Sequence, residues 1–170
     1  SGYISLWAKT DTTTTNRAYF ASFIDSDNLL SLFYGHSANE LKLSYRGGGL
    51  AKTVSTTDVI EGDGEWHHIV ATADTTAGTL DYYLDGVLDA SYTGLTSGRM
   101  DNYTQILDIA KYSTTYTNTK MRDVKIYKTT LTAAQVDLLY KGQWNGSPTH
   151  WWLFNEGTGD TVVDIGVGDS

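Results

Sequence analysis

Three carboxylates occupy alternate positions in Glu61-Gly62-Asp63-Gly64-Glu65. On an extended strand, alternate side chains share a face. Two such carboxylates about 5–5.5 Å apart are the apparatus of retaining glycoside hydrolysis. The two glycines, with no apolar position between the acids, argue instead for a turn leading into Trp66, so no catalytic residue is assigned. His67-His68 has the composition of a zinc pair, yet strand neighbours point to opposite faces and cannot share one ion. A histidine packed within a strand is the expectation there. His36, in Gly35-His36-Ser37, and His150, beside Trp151 and Trp152, read as loop histidines. No cluster of Arg, Tyr or His suits a lyase or a sialidase.

Aromatic residues carry the binding chemistry. The chain has 5 Trp and 12 Tyr, enough to ask which of them lie outside a core. Sugars stack the C–H face of the ring on an indole or phenol while Asn, Asp and Arg take their hydroxyls. Outward candidates are Tyr45 and Arg46 before the glycine triplet, Asp101 and Asn102, Tyr112 and Tyr116 in a Thr-rich loop, and Trp144 with Asn145. Trp66 and Trp152 are assigned to the core. Asp25-Ser26-Asp27-Asn28 lacks the Gly and closing Glu of an EF-hand loop and reads as a plain turn. Asp160, Asp164 and Asp169 lie in a Gly-rich terminal segment, which fits a hard cation such as Ca²⁺ and a solvated acidic tail equally well.

The balance of charge narrows the partners. A formal net charge of -8 repels phosphate backbones and anionic membrane surfaces, so neither nucleic acid nor a membrane is an expected partner. There are no cysteines, hence no disulfides and no thiolate metal site. No apolar run approaches the ~20 residues of a membrane span. The chain opens at Ser1 rather than Met, which reads as a processed or excised piece.

These residues must be held by strands. Ile4, Leu6 and Ala8 alternate with Tyr3, Ser5 and Trp7; Leu41 and Leu43 alternate with Lys42 and Ser44; Leu80, Tyr82 and Leu84 alternate with Asp81, Tyr83 and Asp85. Period-2 alternation predicts half-buried antiparallel strands. Strands are expected over 3–9, 18–25, 29–35, 40–46, 51–56, 65–74, 79–85, 87–92, 104–111, 120–128 and 149–155. Asp85-Gly86 between two such runs is a two-residue hairpin signal. One short helix is expected over Ala133–Tyr140, capped by Thr132 and stopped by Gly142. The fold class is therefore all-β, a two-sheet antiparallel sandwich or jelly roll with one short helix. The 170 residues fit a single domain of about 100–200 residues.

Four segments resemble a known family, the laminin G-like and concanavalin A-like (pentraxin-type) lectin jelly rolls. Gly64-Glu65-Trp66-His67-His68-Ile69-Val70-Ala71 with Leu80-Asp81-Tyr82-Tyr83-Leu84-Asp85-Gly86 is similar to its "W-H-H-V-A … L-Y-V-D-G" strand pair. Asp123-Val124-Lys125-Ile126-Tyr127 with Leu131-Thr132-Ala133-Ala134-Gln135 and Leu139-Tyr140 resembles its closing strand and helix. Ile4-Ser5-Leu6-Trp7-Ala8-Lys9 resembles "I-S-A-W-V-K". Trp151-Trp152-Leu153-Phe154-Asn155-Glu156-Gly157-Thr158-Gly159 resembles "W-x-F-D-E-G-S-G".

In the family that last motif comes first. Residues 149–170 are therefore either a permuted first strand or the opening of a following repeat, and pairing within the domain is the favoured reading. The resemblance implies a non-catalytic carbohydrate-binding or adhesion module. Its implied partner is a cell-surface glycan or polysaccharide, and its setting an extracellular protein or a virion surface, within a larger assembly. Calcium is implied through the loop after the E-G-S-G strand, with Asp164 at the family's Asp position, Asp169 close by and Asp123 as a further ligand. The rival is a structural virion decoration or oligomerisation domain.

Overall fold

The structure, a computed structural model, describes residues 2–10, 17–25, 28–35, 40–47, 50–56, 60, 62–95, 107–112, 115–116, 119–159 and 161–168. Its strands are β1 (Gly2–Lys9), β2 (Arg17–Asp25), β3 (Asn28–Gly35), β4 (Glu40–Gly47), β5 (Leu50–Ser55), β6 (His67–Asp74) and β7 (Thr79–Leu84). They continue with β8 (Val87–Thr93), β9 (Leu107–Ile109), β10 (Lys111–Tyr112), β11 (Thr115–Tyr116), β12 (Lys120–Tyr127) and β13 (His150–Trp152). One helix, α1 (Ala133–Tyr140), lies between β12 and β13. It is not long enough to cross a membrane.

Among the described residues every pairing is antiparallel, in a six-stranded sheet ordered β13-β12-β1-β6-β7-β8 and a five-stranded sheet ordered β5-β4-β3-β2-β9. β10 and β11 pair as a small separate ribbon. Alternation decides which face of each strand is dry. Ile4, Leu6 and Ala8 of β1, Ile69, Ala71 and Ala73 of β6, and Leu80 and Tyr82 of β7 meet Phe20, Leu30, Leu32, Leu41 and Leu43 from the opposite sheet. This is the two-sheet sandwich expected from the alternation.

Tyr45 corrects the sequence reading. It is 1 % exposed and belongs to this core, because it continues the Leu41, Leu43 alternation and stands opposite Leu30. Arg46, one residue on, is exposed.

The six-stranded sheet is buried on part of its outer face as well. There Tyr3, Val70, Tyr83 and Tyr127 pack with Leu131, Val136 and Leu139 of the helical segment, and the Tyr3 and Tyr127 rings stack 4.1 Å apart. The helix begins and ends where expected. Thr132 and Gln135 form a capping box, satisfying amides that the first turn leaves unpaired, and Gly142 follows the last turn at φ 69°. Asp85 (φ 49°) and Gly86 (φ 84°) both have positive φ, the signature of a type I′ hairpin turn, whose twist matches the strands. A Cβ at Gly86 would approach Tyr140 to 3.0 Å, so the same turn seats the helix's last residue.

Some elements differ from expectation, and the strand expected over 149–155 is only His150–Trp152. The run expected over 104–111 is interrupted at Ala110, whose φ of 57° separates β9 from β10. The Trp66 strand starts at His67, leaving Trp66 just outside it. β13 pairs with β12 through Val124–Trp152, Lys125–Trp151 and Ile126–His150. Residues 164–168 extend that edge, with Ile165 N–H donating to the Trp151 carbonyl and Gly168 N–H to that of Thr149.

Candidate functional site

The part of the outer face that the helix leaves open carries the chemistry. Leu6 and Ala8 face the core, so Trp7 points outward, across from Arg122 of β12 and His68 of β6. Trp66, just ahead of β6, comes to the same place. The Arg122 guanidinium carbon lies 4.4 Å from the Trp66 ring centroid and 5.2 Å from that of Trp7. A cation over an indole face gains roughly 0.5–1 kcal/mol at an exposed site, so two such contacts hold the guanidinium in place. Arg122 is exposed, and its ion-pairing capacity is unspent: it makes no ion pair or hydrogen bond with another described residue.

Trp7 is braced from behind. Its ring stacks on Tyr140 at 5.8 Å and lies 5.1 Å from His68. His68 is buried, and its Nε2 is 2.9 Å from Ser5 Oγ, while Nδ1 has no partner. Burial, outweighing the pull of Asp85, pushes the imidazole pKa down to about 4. A neutral ring with its proton on Nε2, donated to Ser5, leaves only an acceptor unpaired, the cheaper orphan.

A second cation–indole pair lies next along β12. The register between β1 and β12 slips at Asp123, where φ is 54°, and this bulge turns the carboxylate toward β13. Asp123 Oδ1 accepts the Trp151 indole N–H at 2.6 Å, and Oδ2 accepts the Lys125 ammonium at 2.8 Å. Lys125 also sits 4.6 Å over the Trp151 ring. This part of the face thus carries three half-buried indoles, the ion-paired Lys125 and the exposed Arg122.

His67 points the other way from His68, as strand alternation requires. Its Nδ1 is 2.8 Å from Asp85 Oδ2 and its Nε2 is 2.7 Å from Asp63 Oδ2. Burial opposes protonation, but the two carboxylates outweigh it and raise the pKa. Because the acids grip opposite sides of one ring, they cannot converge on an ion. Asp63, from the acidic turn, is therefore a tether: it also accepts the Glu65 amide. Glu61 lies outside the described residues.

The other sequence candidates are scattered. Trp144 packs against the apolar surface under the helix, and a Cβ on Gly146 would overlap its indole nitrogen. Trp144 is half-buried there, and Asn145 beside it is exposed. Tyr116 is 77 % exposed on β11, and Arg46 lies in the other sheet. Tyr112 is in β10, its side chain outside the description; Asp101, Asn102 and Asp169 lie outside the described residues.

Asp164 holds the terminal segment down. Oδ1 accepts the Trp151 and Gly166 amides, both at 2.9 Å, and Oδ2 meets His150 Nδ1 at 2.6 Å. Burial raises its pKa, but these donors together prevail and lower it. Both Asp164 and Asp123 accept N–H donors on each carboxylate oxygen. Among the described residues no group of three His, Asp or Glu is placed to hold a metal.

Sequence reasoning misses the Trp7–Arg122–Trp66 cluster. Trp66 is not the core residue expected from the sequence, for it belongs to neither apolar cluster. The usable signal is the alternation that sets Trp7 outward; the Arg122 partnership depends on a cross-strand register no local pattern reveals.

The fold is shared with proteins of known structure. The CBM40 module of the Ruminococcus gnavus IT-sialidase, bound to alpha2,3 sialyllactose, gives a TM-score of 0.64 at 12% identity over 82% of each chain. Domain 4 of AbnA, an extracellular GH43 arabinanase from Geobacillus stearothermophilus, in complex with arabinotriose, gives 0.63 at 21% identity, covering 82% of this chain and 66% of that one. A heptameric SAP-like pentraxin from Limulus polyphemus gives 0.60 at 16%, covering 96% and 78%. No curated protein matches the sequence. The family model of the concanavalin A-like lectin/glucanases superfamily matches residues 4–137, and the chain belongs to that superfamily.

Proposed function

We propose that this domain is a non-catalytic carbohydrate-binding module that takes its glycan on the outer face of the six-stranded sheet. The observation that carries the reading is the exposed Arg122 guanidinium held against Trp66 and Trp7. An indole offers an apolar plane to the C–H face of a sugar, and a fixed guanidinium beside it supplies five directed donors to ring substituents. Preorganisation matters because ordering a long side chain on binding costs roughly 0.5–1.5 kcal/mol. The sialyllactose and arabinotriose complexes of the similar folds support a sugar as the ligand class. The same reading sets the domain on an extracellular or virion surface, as an adhesion unit of a larger protein.

The test is a glycan array probed with the wild-type domain and with Trp66→Ala, each with Ca²⁺ and with EDTA. Wild-type signal that the substitution removes supports the reading, and the EDTA arm decides the calcium assistance implied by the resemblance. Binding that Trp66→Ala leaves intact removes this face from the account.

A second reading, an assembly domain, is favoured by one observation. Val162, Val163, Ile165 and Val167 are all exposed along the terminal edge, Val167 at 72 %. Contiguous exposed apolar side chains mark protein contacts. Sedimentation as an oligomer, abolished by Val163→Asp with Val167→Asp, would establish it.

A further inference from the structure

Resting on the glycan reading, we propose that this face selects a carboxylate-bearing sugar, a uronate or a sialate, through Arg122. Other basic side chains stand on the same face. One step along the same strand pair, Lys9 of β1 stands directly opposite Lys120 of β12. Counting from Trp7 and Arg122, both lysines fall on the outer face.

Arg122 makes no ion pair or hydrogen bond with another described residue, so its charge is open to an arriving anion. Lys125, the next cation, is already matched by Asp123. Asp123 in turn is occupied by Lys125 and Trp151, which leaves it committed rather than competing for Arg122. The planar guanidinium matches a carboxylate with two parallel N–H···O bonds, while the Trp66 plane takes the sugar ring that carries it. Neutral sugars can use the indole but gain nothing from the guanidinium charge.

Calorimetry with matched probes tests this: tri-galacturonate against its fully methyl-esterified form, and sialyllactose against lactose. The two pairs distinguish a uronate from a sialate as the source of the carboxylate. We expect an acidic probe to bind at least tenfold more tightly than its neutral partner. Arg122→Gln should erase that preference, and Arg122→Lys, which keeps the charge but loses the planar fork, should restore only part of it. Circular dichroism confirms that these exposed-site variants fold. Equal binding of acidic and neutral probes, or a preference that survives Arg122→Gln, overturns the inference while the glycan reading stands. Silence toward all four probes overturns the inference and counts against the glycan reading as well.

Discussion

Acid should loosen this protein through one buried ring, His68. Its pKa in the fold is about 4, against about 6.5 in an unfolded chain. The group is therefore neutral in the fold where the unfolded chain takes up a proton, and stability falls as pH drops from 6.5 toward 4. A pH unit over which only the unfolded chain is protonated costs about 1.36 kcal/mol, so going from about pH 7.5 to pH 5 removes about 2 kcal/mol. His67 works in the opposite sense: its raised pKa adds stability that is complete below 6.5 and lost as pH rises through the folded value. Asp63 and Asp164 have lowered pKa values, so their contributions hold until pH falls through the range below 3.8.

The comparison that isolates His68 is with His68→Gln, which keeps a hydrogen-bonding group near Ser5 but does not titrate. Thermal melts of both proteins at the two pH values should show wild type losing about 2 kcal/mol more than the variant, or roughly 4–8 °C of Tm for a chain this size. Parallel pH dependence of the two melts would refute the reasoning, as would an NMR titration of the His68 ring centred above pH 6. Protonation of the folded ring, which sets in only near pH 4, would also unsettle the Ser5–His68 brace behind Trp7, so glycan affinity should weaken there and not between about pH 7.5 and pH 5.

Other perturbations follow from single contacts. Asp85→Ala removes the acceptor of the His68 amide and of His67 Nδ1 as well as a residue type suited to φ 49°. Chemical denaturation should show a loss of about 2–3 kcal/mol, with Asp85→Asn losing less. His67→Gln should cost stability near pH 6 and little at pH 9, because the imidazolium that the two carboxylates favour is gone at high pH. Gly166→Ala would drive a Cβ into the Thr149 carbonyl. Hydrogen exchange should then quicken across residues 161–168 while β1 and β6 stay protected.

Much of the architecture was legible because alternation is a local signal. Ile4, Leu6 and Ala8 sort themselves from Tyr3, Ser5 and Trp7 without knowledge of any partner. Asp85-Gly86 and the Thr132 cap were readable for the same reason, since each is set by neighbours in sequence. Tyr45 is also readable in principle: the Leu41, Leu43 period runs straight into it, although the adjacent Arg46 and glycines argue for solvent. The break at Ala110 was not, because a non-glycine residue at positive φ leaves no compositional mark. Least legible was the candidate site. Arg122 meets Trp7 only through a register fixed by the Asp123 bulge, and Trp66 lies ahead of a strand that begins two residues later than expected. Sites assembled from three strands depend on pairing rather than pattern.

The five tryptophans allow the central claim to be tested in a single experiment. Each indole N–H gives its own NMR signal, and the five are distributed among the candidate face, the helix seat and the β13 edge. Titrating the ¹⁵N-labelled domain with a glycan that it binds should shift the Trp66 and Trp7 signals first, together with the Arg122 side chain, while Trp144 stays still. Shifts confined to Tyr116, Arg46 or the five-stranded sheet, with Trp66 and Trp7 unmoved at saturation, would contradict the placement of the site.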